Sequence, residues 1–587
     1  MKKFFKFGSW ILVLIFWISS CQYKPDQVEL TIYCTTDIHG NLFDFDLKKN
    51  RPAQNSLMGI AGYLKQIQGN GPKEYILLDA GDILQGQPTN YYFNYIDTGR
   101  QNIVALMLNE LDYDAAAVGN HDIEAGHPVY DKVKHEFRFP WLAANAIDTR
   151  TGEPYFQPYT VLECQGLKIA VLGMITPGIP KWLPQHLWEG IRFEDMVETA
   201  RKWVPAIRKK EQPDQLIGLF HAGYDYNYAG ENKDTPCNEN ATQLVAEQVD
   251  GFDVVISGHD HREKIEEITY QAGHKVLIVD ARSHARALGK INVKFLRQGN
   301  QYAKTISATL LNPAEMPRDS AFIRQFIPAL NDVKNYIQTP LGEFTHPLSG
   351  RDGLFGPSAF TDFIHTAQLE TTQADISFST VLQMDAQIEQ GLITVRDMFN
   401  LYKFENGLYL MKFSGKEIDR YLEYAYALQY NTMTSPEDHL LHFKTNEKGE
   451  LLRNKQDKPI LADEYFNYSC DAGIKYTVDV SKEPGNRVEI HSLSDGRHFH
   501  PDSIYTVAIN SYRGNGGGGH LTQGMGLDKE EINNRIIKIW DKDVRYYITE
   551  YIKSKKILTP QCRNDWKVIP ETWFKAGKKR DYQELYL

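Results

Sequence analysis

Aspartate, asparagine and histidine recur in tight clusters along the first half of this 587-residue chain, and such donors in combination bind hard or borderline metal ions. The clusters are Asp37-Ile38-His39-Gly40, Gly81-Asp82, Gly119-Asn120-His121-Asp122, His221, and Gly258-His259-Asp260-His261. Asp37 and His39 are two residues apart, so an extended segment presents both on one face. Asp82 offers a carboxylate that can bridge two cations, Asn120 a neutral oxygen, and His221, His259 and His261 imidazoles. Oxygen and imidazole donors without cysteine suit Zn²⁺, Mn²⁺ or Fe and argue against Cu(I). Paired cations of this kind lower the pKa of bound water, so the chemistry indicated is hydrolysis.

Each cluster follows a short apolar run: residues 28–33, 75–78, 115–118, 216–220 and 254–256. Runs of that length bounded by turn residues read as buried strands. In open α/β sheets, ligands bind beyond the carboxyl ends of strands. Five such ends bearing metal donors predict one polynuclear site on a layered α/β domain reaching to about residue 315. Residues 320–338 then carry apolar side chains at near-helical spacing, with Pro328 predicted to kink or divide the helix. From 341 to about 560 the pattern is mixed α+β, with a helix over 414–430, strands over 408–413 and 503–509, and a glycine run at 516–519. From 563 the chain is polar and aromatic, and no element is predicted there.

The net charge of −10, with both signs interspersed, excludes a general nucleic-acid binder, which would show a basic face. No nucleic-acid polymer is expected as a partner. Lys2 and Lys3 precede an apolar stretch over 10–18, too short to span a membrane with confidence, and Ser19-Ser20-Cys21 follows. That order reads as a signal peptide over 1–20. The small residues before Cys21 resemble a lipobox, so Cys21 is expected to be acylated and to anchor an exported protein at a membrane, facing the periplasm or the cell surface. Residues 21–27 would be the tether. The other five of the six cysteines are dispersed without a C-x-x-C pair, which makes a thiolate zinc site improbable and leaves at least one thiol free.

In order and spacing the clusters resemble the calcineurin-like metallophosphoesterases, and more narrowly the bacterial 5′-nucleotidase and 2′,3′-cyclic-nucleotide phosphodiesterase family. The resemblance extends over nearly the whole mature chain. It implies an α/β fold: a β-sandwich flanked by helices (28–315), a linker helix (316–340), an α+β substrate-binding domain (341–562) and a tail (563–587). It also implies two divalent metal ions, one held by Asp37, His39, Asp82 and His261, the other by Asp82, Asn120, His221 and His259. His121 matches the family's catalytic histidine. Glu124 sits where its acidic partner is expected, with Asp122 the competitor. Asp79 and Asp260 are candidates for orienting the ligands.

Lys403-Phe404-Glu405-Asn406 resembles the family's Pro-Phe-Gly-Asn motif, with Lys403 and Glu405 departing from it. There the Phe stacks on a nucleobase and the Asn hydrogen-bonds it, which makes Phe404 and Asn406 candidate substrate contacts. The segment from Asn510 to Gly519 matches the second base-stacking segment, so Tyr512 would close an aromatic clamp, with Arg513 beside it. Asp385 stands where a substrate-binding arginine is expected, and Arg351, Arg396 and Arg513 are possible substitutes. The function implied is hydrolysis of nucleotides, as a 5′-nucleotidase, a cyclic phosphodiesterase or both. Cleavage of nucleotide-sugar pyrophosphates, noncatalytic nucleotide binding at the surface, and sulfur-ester hydrolysis are the alternatives on this scaffold. The family closes by rotating one domain onto the other, with 320–338 the natural pivot.

Overall fold

Alternate residues of the N-terminal strands face two different cores, and that alternation sets the architecture. The computed structural model describes residues 26–587 apart from 271, 272, 300 and 455. The expected signal peptide, most of the tether and Cys21 lie outside the described residues. The strands in chain order are β1 (Gln27–Thr35), β2 (Tyr75–Asp79), β3 (Ala115–Ala117), β4 (Trp141–Leu142), β5 (Tyr159–Cys164) and β6 (Leu167–Ile175). They continue with β7 (Gln215–His221), β8 (Val254–Ser257), β9 (Glu263–Thr269), β10 (Lys275–Ala281), β11 (Leu288–Gln298) and β12 (Gln301–Leu311). One six-stranded sheet has the order β12-β11-β1-β2-β3-β4, the other β9-β10-β8-β7-β6-β5. The strands from β1 to β4 run parallel, as do β6, β7, β8 and β10. Antiparallel strands close the edges at β11, β12, β9 and β5.

Leu30, Ile32 and Cys34 of β1 meet Ile169 and Val171 of β6, Ile217 and Leu219 of β7, and Val254 and Ile256 of β8 in one buried cluster between the sheets. The intervening residues point outward beneath helices: Tyr33 and Leu77 on one side, Leu172, Leu216, Phe220 and Val255 on the other. A sheet buried on both faces by this alternation is the sandwich flanked by helices that the resemblance implied.

Helix Ser320–Ile337 starts at Asp319, whose carboxylate accepts the Phe322 N–H at 2.7 Å. It buries Phe322, Phe326, Leu330, Val333 and Ile337 along one face. The helix is continuous through Pro328, so Pro328 does not divide it. Pro328 lies on the exposed face, so the carbonyl left without a partner one turn earlier faces water. In the C-terminal half, β13 (Ile376–Ser379), β14 (Gly407–Ser414), β15 (Cys470–Ala472), β16 (Ile504–Asn510) and β17 (Ile536–Asp543) form a sheet of order β15-β13-β16-β14-β17. Helix Gly415–Gln429 is capped reciprocally by Ser414 and Glu417 and packs on this sheet.

The tail is not featureless. Residues Trp566–Ile569 form a strand parallel to Ile474–Asp479, and Glu571–Tyr586 is a helix. Trp573, Phe574, Tyr582 and Leu585 pack against the C-terminal core, while buried Asp581 accepts the Leu441 N–H at 2.8 Å. Among the described residues, no helix is long and apolar enough to cross a membrane.

Candidate metal centre

The turns after β1, β2, β8 and β3 converge. Backbone hydrogen bonds clasp the first two: Asp37 N–H to Gly81 O and His39 N–H to Asp82 O, both 3.0 Å. Asp37, His39, Asp82, His259 and His261 all have positive φ, from 47° to 87°. Non-glycine residues in that region cost on the order of 1–3 kcal/mol each. Glycine would relieve the strain, so retaining side chains at all five positions means that the side chains are needed. Gly81 has the opposite requirement: a Cβ there would lie 2.7 Å from His221 Nδ1.

The donors form two touching groups. Asp37, His39 and His261 make one, with His261 Nε2 3.4 Å from Asp37 Oδ1 and 2.9 Å from His39 Nε2. Asp37, Asp82 and His221 make the other, with His221 Nε2 3.2 Å from Asp82 Oδ2. Asn120 Oδ1 lies 3.0 Å from His221 Nε2 and 2.8 Å from His259 Nδ1. Asp82 Oδ2 is also 3.9 Å from His39 Nε2, so it stands between the groups.

Outer contacts determine which nitrogen faces inward. His39 Nδ1 meets Gln85 O at 3.1 Å and His221 Nδ1 meets Ala80 O at 2.7 Å. A carbonyl can only accept, so both Nδ1 atoms carry a proton, and both Nε2 atoms are the ones that can offer a lone pair to a cation. His259 is reversed: its Nε2 meets Glu239 Oε1 at 3.1 Å, which frees Nδ1. One ring nitrogen from each of three imidazoles thus faces two carboxylates and an amide oxygen, with His261 at the rim. His39 and His261 bring their Nε2 atoms within 2.9 Å of each other at the rim of the site. The donor set fits two divalent ions.

His121 opens the short helix Asn120–Glu124, and its backbone N–H donates to Asp82 Oδ1 at 2.8 Å. Its Nδ1 is hydrogen-bonded to Glu124 Oε2. Burial opposes the imidazolium, but Asp82 and Glu124 outweigh it and raise His121 to about 9. Asp122 does not compete for His121: its carboxylate accepts the N–H groups of Asp82, Ile83, Leu84 and Gly119 at 2.8–3.1 Å. Asp79 accepts from Gly81 N at 2.8 Å and Thr35 Oγ1 at 2.6 Å, shaping the turn without touching a donor. Asp260 accepts the Tyr224 N–H at 2.9 Å.

The C-terminal half supplies Phe404, half-buried, with its ring 6.2 Å edge-on to Phe466. Asn406 is buried, 3.5 Å from the Tyr402 hydroxyl. The Tyr512 hydroxyl reaches Asn467 Oδ1 at 3.4 Å. Arg513 donates to Gly517 O of its own loop and to Phe466 O and Tyr468 O of the neighbouring segment, at 2.7–3.5 Å. Asn515 Nδ2 donates to Trp182 O at 3.2 Å, and the Trp182 ring stacks 5.7 Å from His259. Burial, and then the Glu239 charge, raise the Tyr228 phenol; the same carboxylate acts on Tyr512. Sequence reasoning missed Glu239, Trp182 and Phe466. Only Phe466, in Tyr465-Phe466-Asn467-Tyr468, left a signal, an aromatic cluster.

Residues 30–263 match the calcineurin-like phosphoesterase family and residues 340–524 the 5′-nucleotidase C-terminal domain. A trifunctional nucleotide phosphoesterase protein of Bacillus subtilis is 24% identical over 93% of this chain, which spans only 39% of that longer relative. A 2′,3′-cyclic-nucleotide 2′-phosphodiesterase/3′-nucleotidase of Yersinia enterocolitica is 22% identical over 92% of this chain and 88% of its own length. A Staphylococcus aureus crystal structure shares the fold with a TM-score of 0.75 at 20% identity, covering 92% of this chain and 100% of that one. Calcineurin-like metallophosphoesterases use two divalent metals, in keeping with the donor set above. By its two matched domains and its fold, the chain belongs to the calcineurin-like metallophosphoesterases that carry a 5′-nucleotidase C-terminal domain.

Proposed function

We propose that this protein hydrolyses phosphate esters of nucleotides. The observation that carries the reading is the convergence of seven donors from five strand ends, with the His121–Glu124 pair beside them. One divalent ion would be held by Asp37, His39, Asp82 and His261, the other by Asp82, Asn120, His221 and His259. Bound there, the ions supply an activated water and neutralise charge on the phosphoryl oxygens. His121, kept protonated by Glu124, stabilises the developing negative charge and delivers a proton to the leaving oxygen. Phe404, Phe466 and Tyr512 offer aromatic faces for a base, each stacked base contributing about 1–3 kcal/mol. Asn406 adds a hydrogen-bonding edge, and Arg513 shapes the loop that carries Tyr512.

Relatives named for 2′,3′-cyclic nucleotides, 3′-nucleotides and 5′-nucleotides make a panel of AMP, 3′-AMP, 2′,3′-cAMP and UDP-glucose the direct test, each assayed with Mn²⁺ and Zn²⁺ after chelation. Turnover of at least one nucleotide that is restored by metal is expected. Metal-replete protein that turns over none would refute the reading.

The amino-terminal pattern supports an exported, lipid-anchored form, with Cys21 acylated. Labelling of the expressed protein with a radioactive fatty acid should be lost in Cys21→Ser; label retained in that variant would exclude the anchor.

A further inference from the structure

In a chain with 75 acidic residues against 65 basic ones, Lys48, Arg286 and Lys403 lie on one side of the metal centre with no carboxylate partner among the described residues. Lys48 Nζ donates to Gly86 O at 3.1 Å, and Gly86 packs directly on His39, where an added Cβ would lie 2.8 Å from the His39 Cβ. Arg286 reaches His284 Nδ1 at 3.3 Å. The His284 ring in turn lies 5.2 Å from His39 and 5.7 Å from His261. Lys403 comes from the other half of the chain and sits 5.2 Å over the Phe404 ring. Arg396 ties the two halves together here through Leu47 O at 3.2 Å.

The three charges sense one another. Burial lowers Lys48 to about 8, and Lys403 is the next contributor; burial and then Arg286 lower Lys403. Asp46 is the acid nearest in effect to Lys48, but its Oδ1 takes the backbone N–H groups of Lys48 and Lys49 at 3.1 and 3.0 Å. The neighbouring Arg282 is already paired with Glu263 at 3.3 Å. Lys48 and Lys403 are half-buried and Arg286 is exposed beside them; neighbouring cations without counter-charges repel one another, and an anion placed among them removes that cost. The arginines that could have stood in for Asp385 are engaged elsewhere: Arg351 near Asp385 itself at 3.8 Å, Arg396 on Leu47, and Arg513 in its loop.

We propose that Lys48, Arg286 and Lys403 form a subsite for a second phosphate of the substrate, next to the one that is hydrolysed. One imidazole, His284, separates Arg286 from the metal-facing His39, so the guanidinium addresses a neighbouring group and not the phosphorus under attack. The ligand class is a nucleotide carrying two phosphates, either as a diphosphate or as a bisphosphate on two sugar oxygens. The subsite rests on the phosphoesterase reading above.

The test uses metal-loaded protein and the variants Arg286→Met, Lys403→Met and Arg286→Lys. First, kcat/KM is measured for ADP and for adenosine 3′,5′-bisphosphate, each relative to AMP. In both methionine variants at least one ratio should fall at least about tenfold, the loss expected for one charge-assisted contact, mainly through KM. Arg286→Lys should keep most of it, and whichever ratio falls identifies the geometry. Second, calorimetry compares inorganic pyrophosphate with inorganic phosphate. The wild type should prefer pyrophosphate, and the methionine variants should lose that preference. Ratios and pyrophosphate affinity within about twofold of wild type would overturn the subsite. Absence of turnover on every nucleotide would instead remove the phosphoesterase reading, and the pyrophosphate titration would still decide the subsite.

Discussion

The Nδ1 of His121 is occupied by Glu124, which leaves Nε2 as the atom that can reach a substrate oxygen. Its backbone N–H, not its ring, contacts Asp82, so the imidazole can be removed without removing a metal donor. His121→Ala is therefore expected to lower kcat about 10²–10⁴-fold, the range for a general acid, while elemental analysis still finds two metal ions per chain. Joint loss of metal and activity would make His121 structural. Glu239 acts one contact further out, fixing the His259 tautomer at 3.1 Å. Glu239→Leu should weaken metal binding about 10–100-fold in a chelator competition; unchanged affinity would show that His259 needs no such partner. Residues of this kind were illegible in the sequence. Glu239 and Trp182 come from long connections, where no strand end or motif spacing marks a side chain's direction, and Phe466 left only the aromatic cluster around it.

Individual elements were legible where local chemistry and global packing agree. The strands that lead to Asp37, Asp82, Asn120, His221 and His259 are short apolar runs stopped by turn residues, and both signals survive folding. Helix Glu571–Tyr586 was missed because nothing at its ends marks it: Pro570 provides no side-chain cap, and Gly577 sits inside it against Leu440. Its anchors are tertiary, above all Asp581 against His439 and Leu441. Deleting residues from 566 onward should expose the C-terminal core and cause aggregation or loss of the cooperative unfolding transition; a soluble, fully folded truncate would contradict this packing. His365 gives the same half a pH dependence. Burial depresses its imidazole to about 3, below the unfolded value of about 6.5, so protons favour the unfolded chain. The stability it contributes is present above about pH 6.5 and is lost as pH falls toward 3. His365→Gln should flatten that part of the midpoint-versus-pH curve, and an unchanged slope would point to other groups.

At the scale of the whole molecule, the two halves meet across the metal centre. The Tyr95 hydroxyl donates to Glu405 Oε2 at 3.3 Å, and Asn515 holds Trp182, which covers His259. The linker helix packs into an apolar cluster shared by both halves. Rotation about it would separate the base-stacking residues from the metal donors, so a covalent cross-link between the halves is expected to slow turnover; undiminished activity in a locked protein would argue against such motion. Metal binding should also stabilise the fold, because only the folded chain assembles the donors. Ions at 1,000 times their Kd add about 4 kcal/mol. The account depends most on Asp82 bridging two ions. Anomalous diffraction from crystals soaked in Mn²⁺ tests this directly: two adjacent peaks are expected, both within bonding distance of the Asp82 carboxylate, one flanked by His39 and His261 and the other by His221 and His259. A single peak, or none at these donors, would contradict it.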